Sequence, residues 1–585
     1  MAESIISPGV YTRENDISFI QPAPIQAGAA IVGPTVKGPV EIPTVVTSYG
    51  DFTNKFGEVF VSGSTTVEYL TSIAVRSYFQ QGGTTLLLTR VVSGSSNWAP
   101  AASTNIATFN TASINPFTLE TLGKGAIFNN STTASNPGAQ NSDNSLVSGS
   151  ADNLRWEIAN INNNTGTFSV LIRRGDDNIK SKTILETFNN VSLDPNSPNY
   201  IASVIGNQKL AKTVDSSGTV FIQPSGEYPN NSNYVRVSSV NIPTYKYLAT
   251  DGVTVNKDAS GLSYSASLPM SASGAFFGAV GNNVQPLANY NSAIVSGVSN
   301  VQGLSDSDYA DAVTLLGNKD NYQFNIITVP GLTQQNNSIT VANVLSLVET
   351  RGDAIAVVDL VGYGDTISDA VTTAAGLNSS YGASYWPWVQ VTSATGKNVF
   401  VPASVTIPGV YAFTDLATAP WFAPAGLTRG GISGVIQTER KLSKSDRDAL
   451  YLGKVNPIAT FPGTGISIFG QKTLQTKASA LDRVNVRRLL IELKKFIGNQ
   501  ATNLVFEQNT ISTRNKFLAA VNPYLESVVQ RQGLYSYQVI MDDTNNTADV
   551  IDRNQLVGQI IIQPAKTIEF VVLDFTIEPT GATFA

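Results

Sequence analysis

The amino-acid sequence predicts a multidomain fold of the α/β and α+β classes: a mixed-sheet α/β core, a β-rich inserted domain, and a C-terminal α+β domain with extended terminal arms. Three observations carry this. At 585 residues the chain is too long for one compact core, since domains run to roughly 100–200 residues each. After residue 300 continuous apolar runs alternate with amphipathic helical stripes, the pattern of a sheet covered on both faces. Between residues 100 and 300 the chain is rich in Asn, Ser and Gly, poor in charge, and nearly free of helical spacing.

The N-terminal twenty residues read as an extended arm, with a turn signal at Ser7-Pro8-Gly9 and a short strand at Val10-Tyr11-Thr12. Pro22 and Pro24 place a hinge or linker near residues 20–27. Ala30-Ile31-Val32 and the run from Thr85 to Val92 read as buried strands, with helical spacing between them at Val67, Leu70, Ile73, Ala74 and Ser77. Both strands are expected to join the sheet formed after residue 300, which makes residues 100–300 an insertion. Alternating runs from Phe168 to Ile172 and from Tyr234 to Val237 mark its strands, and Asn129 to Gly149 is a low-complexity surface loop.

Beyond residue 300, Tyr309, Ala312, Val313 and Leu316 form a helical stripe before a strand from Phe324 to Val329. Val341, Val344, Leu345 and Val348 form the next helix, and Ala354 to Leu360 the next strand. Further on, Val486, Leu489, Leu490, Leu493 and Ile497 share one face of a helix closed by Gly498. The rest of its surface carries Arg487, Arg488, Lys494 and Lys495, with Glu492 the only acid. A second helix is expected from Ser512 to Gln532, kinked or restarted at Asn522-Pro523. Strands then close the chain at 537–541, 558–562 and 568–577, the last holding Phe570, Val571, Val572, Leu573, Phe575 and Ile577. The resulting division is an arm and linker (1–27), the first part of the core (28–95), a surface-exposed insertion of one or two subdomains (96–300), the second part of the core (301–384), a C-terminal domain (385–567) and a terminal strand (568–585).

Composition narrows the function. Charged residues make up 14% of the chain, against about 25% in ordinary soluble domains. A surface of that kind suits extensive contact, because interface cores are depleted of charge. Cys and His are both absent. That removes disulfides, thiolate metal sites, the commonest general base, and the usual Ser-His and Cys-His nucleophile pairs. No catalytic residue, cofactor or metal site is expected. The net charge of −6 argues against a general nucleic-acid binder. No run of about 18 apolar residues offers a membrane span, and the N-terminus has no signal-peptide pattern. Residues 429–585 hold 18 Lys+Arg and 14 Asp+Glu, a balance of +4, whereas the remainder of the chain balances at −10. Such asymmetry points to a face that meets an acidic partner.

Short motifs yield bland readings. Gly362-Tyr363-Gly364 follows a strand but lacks the third glycine of a dinucleotide fingerprint, because position 367 is Ile367. Arg351-Gly352-Asp353 fits a helix C-terminus with glycine just past it. Asp176-Asp177 and Asp542-Asp543 fit solvated turns. Tyr385-Trp386-Pro387-Trp388 fits core packing beside a rigid proline.

Several segments, in one order, resemble the tail sheath proteins of contractile bacteriophages. They are Pro8-Gly9-Val10-Tyr11-Thr12-Arg13-Glu14, Tyr385-Trp386-Pro387-Trp388, Val401-Pro402-Ala403-Ser404, and Gly409 to Asp415. Ala423-Pro424-Ala425-Gly426, Asn485 to Leu490, Phe506-Glu507-Gln508-Asn509 and Gln563 to Phe570 follow. The chain departs from the family at Phe469-Gly470-Gln471-Lys472-Thr473, which replaces the usual Trp-Gly-x-Arg-Thr, and at Gln508, where Pro is common. The resemblance implies a virion tail component, assembled in the host cytoplasm. Copies would stack as rings in a helical tube around a tail tube protein, with baseplate and tail-terminator proteins as further partners and neither nucleic acid nor membrane insertion. It also implies a metastable extended state whose contraction drives the tube through the host envelope. Val10, Tyr11 and Thr12 at one end, and Phe570, Val571, Val572, Leu573, Phe575 and Ile577 at the other, would add as strands to neighbouring copies. Arg487, Arg488, Lys494 and Lys495 would face the tube. The other readings are a bacteriocin or secretion injector of the same kind, a surface adhesin or depolymerase using the 100–300 insertion, and a cytoplasmic enzyme using carboxylates, for which no paired-acid signature speaks.

Overall fold

The computed structural model describes residues 25–62, 65–92, 115–124, 140–147, 149–216, 218–277 and 304–569, together with Thr104 and Gln302. The arm residues Val10, Tyr11, Thr12, Phe570, Val571, Val572, Leu573, Phe575 and Ile577 lie outside them.

The main sheet has eight strands, in the order Thr44–Val46, Leu86–Arg90, Ile25–Gly33, Tyr322–Thr333, Ile355–Asp359, Gly382–Trp386, Asn456–Phe461 and Gly465–Ile468. The six central strands run parallel and the two edge strands antiparallel. Parallel strands must be covered on both faces, and this explains their unbroken apolar runs. Ala29, Ile31, Leu86, Leu88, Ile355 and Val357 point to one core, and Ala30, Val32, Leu87, Ala356 and Val358 to the other. That is the period of two that an extended backbone imposes. Helices Tyr49–Phe56, Leu70–Gln80 and Ile407–Ala417 cover the first face. Helices Asp306–Leu315, Ser338–Arg351, Ile367–Ala375 and Lys444–Leu452 cover the second. Three of these begin with a capping box, Ser305 with Asp308, Thr366 with Asp369, and Ser443 with Asp446. Each satisfies backbone N–H groups that the first turn leaves orphaned.

Three expectations change here. Residues 25–27 belong to a strand paired with Tyr322–Phe324, so the sheet reaches into the expected 20–27 linker. The strand Gly382–Trp386 runs across position 385, and the sheet continues to Ile468 inside the stretch expected to form a C-terminal domain. The strand starting at Tyr322 continues past Pro330-Gly331 to Thr333, with a register shift between Thr328 and Thr333.

Between residues 115 and 277 the chain builds small antiparallel sheets around an apolar cluster of its own, with Trp156, Phe117, Phe168 and Ile172 fully buried. One sheet has four strands, Ala272–Ala275, Leu154–Asn162, Thr167–Arg174 and Ile184–Ser192, and another pairs Val235–Val240 with Phe117–Thr121. The hairpin Lys209–Val214 and Val220–Ser225 instead leans on the main fold. Lys212 bridges Glu41 at 2.8 Å and Asp311 at 2.5 Å, and Val220 enters the second core cluster. Asp177, expected in a solvated turn, is buried between Arg155 at 3.2 Å and Arg173 at 2.7 Å.

The C-terminal part packs helices Val484–Thr502 and Ile511–Gln530 and the hairpin Leu534–Ile540 and Gln559–Pro564 around Trp421, Leu489, Leu493, Phe517, Val521 and Leu525. The first helix runs through Gly498, and the second contains Pro523 without interruption. Leu489 and Leu493 face this cluster while Val484 and Ile491 face the main core, so one helix ties the two together. Ile568 and Glu569, expected to open a strand, have no regular structure.

Candidate assembly surfaces

The four cations expected to face outward from helix Val484–Thr502 are distributed differently. Arg487 and Arg488 are each 4% exposed. Arg487 donates to Ser380 Oγ at 2.5 Å and stacks 4.0 Å above the Tyr381 ring. Arg488 grips both Asp415 oxygens at 2.6 and 2.5 Å and lies 4.7 Å over the Tyr411 ring. Burial pushes the Asp415 carboxyl upward while Arg488 opposes the shift. Neither arginine has a free charge to present, because desolvating a guanidinium demands partners inside the fold. Lys494 is exposed, with Nζ 3.5 Å from Tyr381 Oη. Lys495 is half-buried and donates to the Phe324 carbonyl at 3.3 Å and to the Asn325 side chain. Burial holds its ammonium below the usual lysine range. Both lysines line an open cleft of about 960 Å³ that also receives Lys319, Glu349, Asp353 and Glu492. The cleft's rim is therefore mixed in charge.

The segments that carried the family resemblance meet in space. Tyr385 and Tyr411 share a hydroxyl hydrogen bond of 2.5 Å, Arg488 joins Asp415, and Asn485 Nδ2 donates to the Trp421 carbonyl at 3.4 Å. Tyr385, Trp386 and Trp388 are buried, and Trp388 Nε1 donates to the Val361 carbonyl at 3.1 Å, so the aromatic cluster is core. The turn from Val505 to Asn509 stands out from this knot, with Phe506 fully exposed. Asn509 pins it, donating to the Gln555 carbonyl at 2.9 Å and accepting from Arg514 Nε at 2.9 Å.

The C-terminal hairpin is a two-stranded sheet with no third strand on either edge among the described residues. Ile560 and Ile562 pack inward on the local cluster while Tyr535 and Ile561 are exposed. A strand edge of this kind presents unpaired N–H and C=O groups to an incoming chain. Just beyond it, Glu569 accepts from Arg483 Nε at 2.7 Å, Arg483 Nη2 at 3.0 Å, Tyr451 Oη at 2.6 Å and Gln471 Nε2 at 3.2 Å. Sequence reading missed this cluster, although Glu569 lies in the resembling stretch from Gln563 to Phe570 and Gln471 in the stretch where the chain departs from the family. An isolated Glu among apolar residues was the available signal.

Among the described residues no group of three or more Asp and Glu could hold a metal ion, and no helix is long and apolar enough to cross a membrane.

Residues 302–474 match the phage tail sheath protein central domain, and residues 476–578 match the phage tail sheath C-terminal domain. The tail sheath protein of Vibrio phage KVP40 is 42% identical over 189 residues, and that of Enterobacteria phage T4 is 40% identical over 187. Each match spans 32% of this chain and 28% of the relative's length. A crystal structure of a sheath tail protein from Listeria innocua shares the fold, with a TM-score of 0.50 and 10% identity over 92% of this chain and 95% of that one. Over residues 302–474 and 476–578 the chain is thus similar to the phage tail sheath proteins.

Proposed function

We propose that this chain is the structural subunit of a contractile tail sheath. Copies polymerise as stacked rings around a tail tube in an extended, metastable state, and contraction drives the tube through the host envelope. It is a virion tail component, assembled in the host cytoplasm, that also contacts baseplate and tail-terminator proteins and performs no catalysis. The match of residues 302–578 to the sheath domains carries the reading. The unpaired C-terminal hairpin supports its mechanism: strand addition by Val10-Tyr11-Thr12 of one copy and by residues 570–577 of another would complete a four-stranded sheet across three subunits. Backbone ladders survive rigid-body rotation of the globules they join, so the lattice stays connected as it contracts. In this reading the small sheets between residues 115 and 277 face outward, and the part built on helices Val484–Thr502 and Ile511–Gln530, together with the arms, is the inner, tube-side part. On that side Lys494 and Lys495 meet the tube, while Arg487 and Arg488 hold the helix in place. Contacts at such a wet face are worth roughly 0–1 kcal/mol each, weak enough to release on contraction.

Negative-stain microscopy of purified protein tests the reading. Striated cylinders are expected from the full chain, and removal of residues 1–24 and 570–585 together abolishes them. A doubly trimmed chain that still built contractile cylinders would end the strand-addition mechanism.

A further inference from the structure

The stretch from Ala565 to Glu569 leaves the end of the C-terminal hairpin and crosses to the main fold. Ala565 N–H bonds the Gly533 carbonyl at 3.0 Å, and Lys566, Thr567 and Ile568 are then exposed, Ile568 at 81%. Open clefts of about 640 and 690 Å³ flank the stretch, and Thr567, Ile568 and Glu569 line both. It therefore stands as a ridge between two hollows, held at its far end by a carboxylate. The donors to that carboxylate come from three places. Tyr451 sits on helix Lys444–Leu452, Gln471 follows strand Gly465–Ile468, and Arg483 is the N-cap residue of helix Val484–Thr502. Arg483 engages Glu569 through two nitrogens, and Asp482 lies 2.9 Å from a third. A two-pronged guanidinium–carboxylate pair is directional as well as strong.

We infer that Glu569 is a positioning anchor: it fixes where the C-terminal segment departs and delivers any pull on that segment to the main fold. The geometry explains why an anchor is needed there. Strand Gln559–Pro564 pairs with Leu534–Ile540 in a ladder that ends at Pro564 opposite Leu534. A pull applied at Pro564 would open that ladder one bond at a time, the weakest way to load it. A pull stopped at Glu569 is borne by helix Val484–Thr502 and the neighbouring strand instead. This inference deepens the sheath reading and rests on it for the origin of the pull.

The chain has no cysteine, so two introduced thiols are uniquely labelled. Leu452→Cys, next to Tyr451 and 80% exposed, and Ile568→Cys carry spin labels, and their separation is measured by pulsed electron resonance on the unassembled chain. A single narrow distance is expected, and Glu569→Ala widens the distribution at least twofold with an unchanged far-UV spectrum. Should that variant fail to fold, Glu569→Gln keeps the volume, removes the charge and is read the same way. An equally narrow distance after loss of the carboxylate overturns the anchor. Because no assembly is involved, a chain that shows the widening but never forms cylinders removes the sheath reading and leaves the anchor standing.

Discussion

Asp359 sits fully buried at the end of a central strand, where Ser404 donates its N–H at 3.0 Å and its hydroxyl at 2.5 Å. Burial without a neighbouring cation pushes its carboxyl up to about 7, from an ordinary value of 3.8. The folded state therefore binds this proton more tightly than the unfolded state. Its contribution is largest below about pH 4, falls as pH rises towards 7, and stays low above that. At about 1.4 kcal/mol per unit the swing is on the order of 4 kcal/mol. Asp359→Asn is expected to be the more stable protein at pH 8 and to lose most of the slope between pH 4 and 7. Urea titrations at pH 5 and pH 8 check this, and identical slopes in both proteins would refute it. Removing the charged group has the opposite effect on stability at Arg488. Arg488→Ala strands the Asp415 carboxylate beside Tyr411, and a cost of about 3 kcal/mol is expected in the same titrations at neutral pH. A loss below 1 kcal/mol would mean that Asp415 finds water.

Two glycines show how far elements were legible. Gly352 ends helix Ser338–Arg351 with φ of 70°, and Arg351 folds back onto Asp353 and the Leu316 and Tyr322 carbonyls. The Arg-Gly-Asp tripeptide is thus a helix end, as its position between a helical stripe and a strand implied. Gly498 was expected to end its helix too, yet the helix continues to Thr502. Composition alone does not separate these cases; the difference is the strand that must begin directly after Gly352. Opposite responses follow. Gly352→Ala forces a side chain into the left-handed region and should cost about 1 kcal/mol. Gly498→Ala, in open space inside a helix, should gain about 0.5–1 kcal/mol. Shifts of the same sign in urea midpoint would contradict this account. The apolar period of two and the helical stripes made the sheet readable. The burial of Arg487 and Arg488 was not readable, because their partners Ser380, Tyr381, Tyr411 and Asp415 are 73 or more residues away.

For the whole molecule, the proposed tube contact rests on exposed Lys494 and half-buried Lys495, so it should be screened by salt. Binding to tubes is expected to weaken several-fold between 0.05 and 0.5 M salt, and Lys494→Glu should weaken it further. Arg488→Glu, by contrast, should disturb folding before binding. Co-sedimentation with tubes separates the two, and a salt-independent association would argue for an apolar contact instead. One feature of the main sheet bears on how the molecule is made. Strand Ile25–Gly33 takes Leu86–Arg90 as one neighbour and Tyr322–Thr333 as the other, so its second edge waits for roughly 290 residues of further synthesis. At about 5–20 residues per second that delay is on the order of 15–60 s. Throughout it the ribosome holds a nascent chain with an open apolar strand, while the small sheets of the intervening stretch can already close. The cell must shield that edge for the interval, so the yield of native subunits should rise when translation is slowed less or chaperone supply is greater.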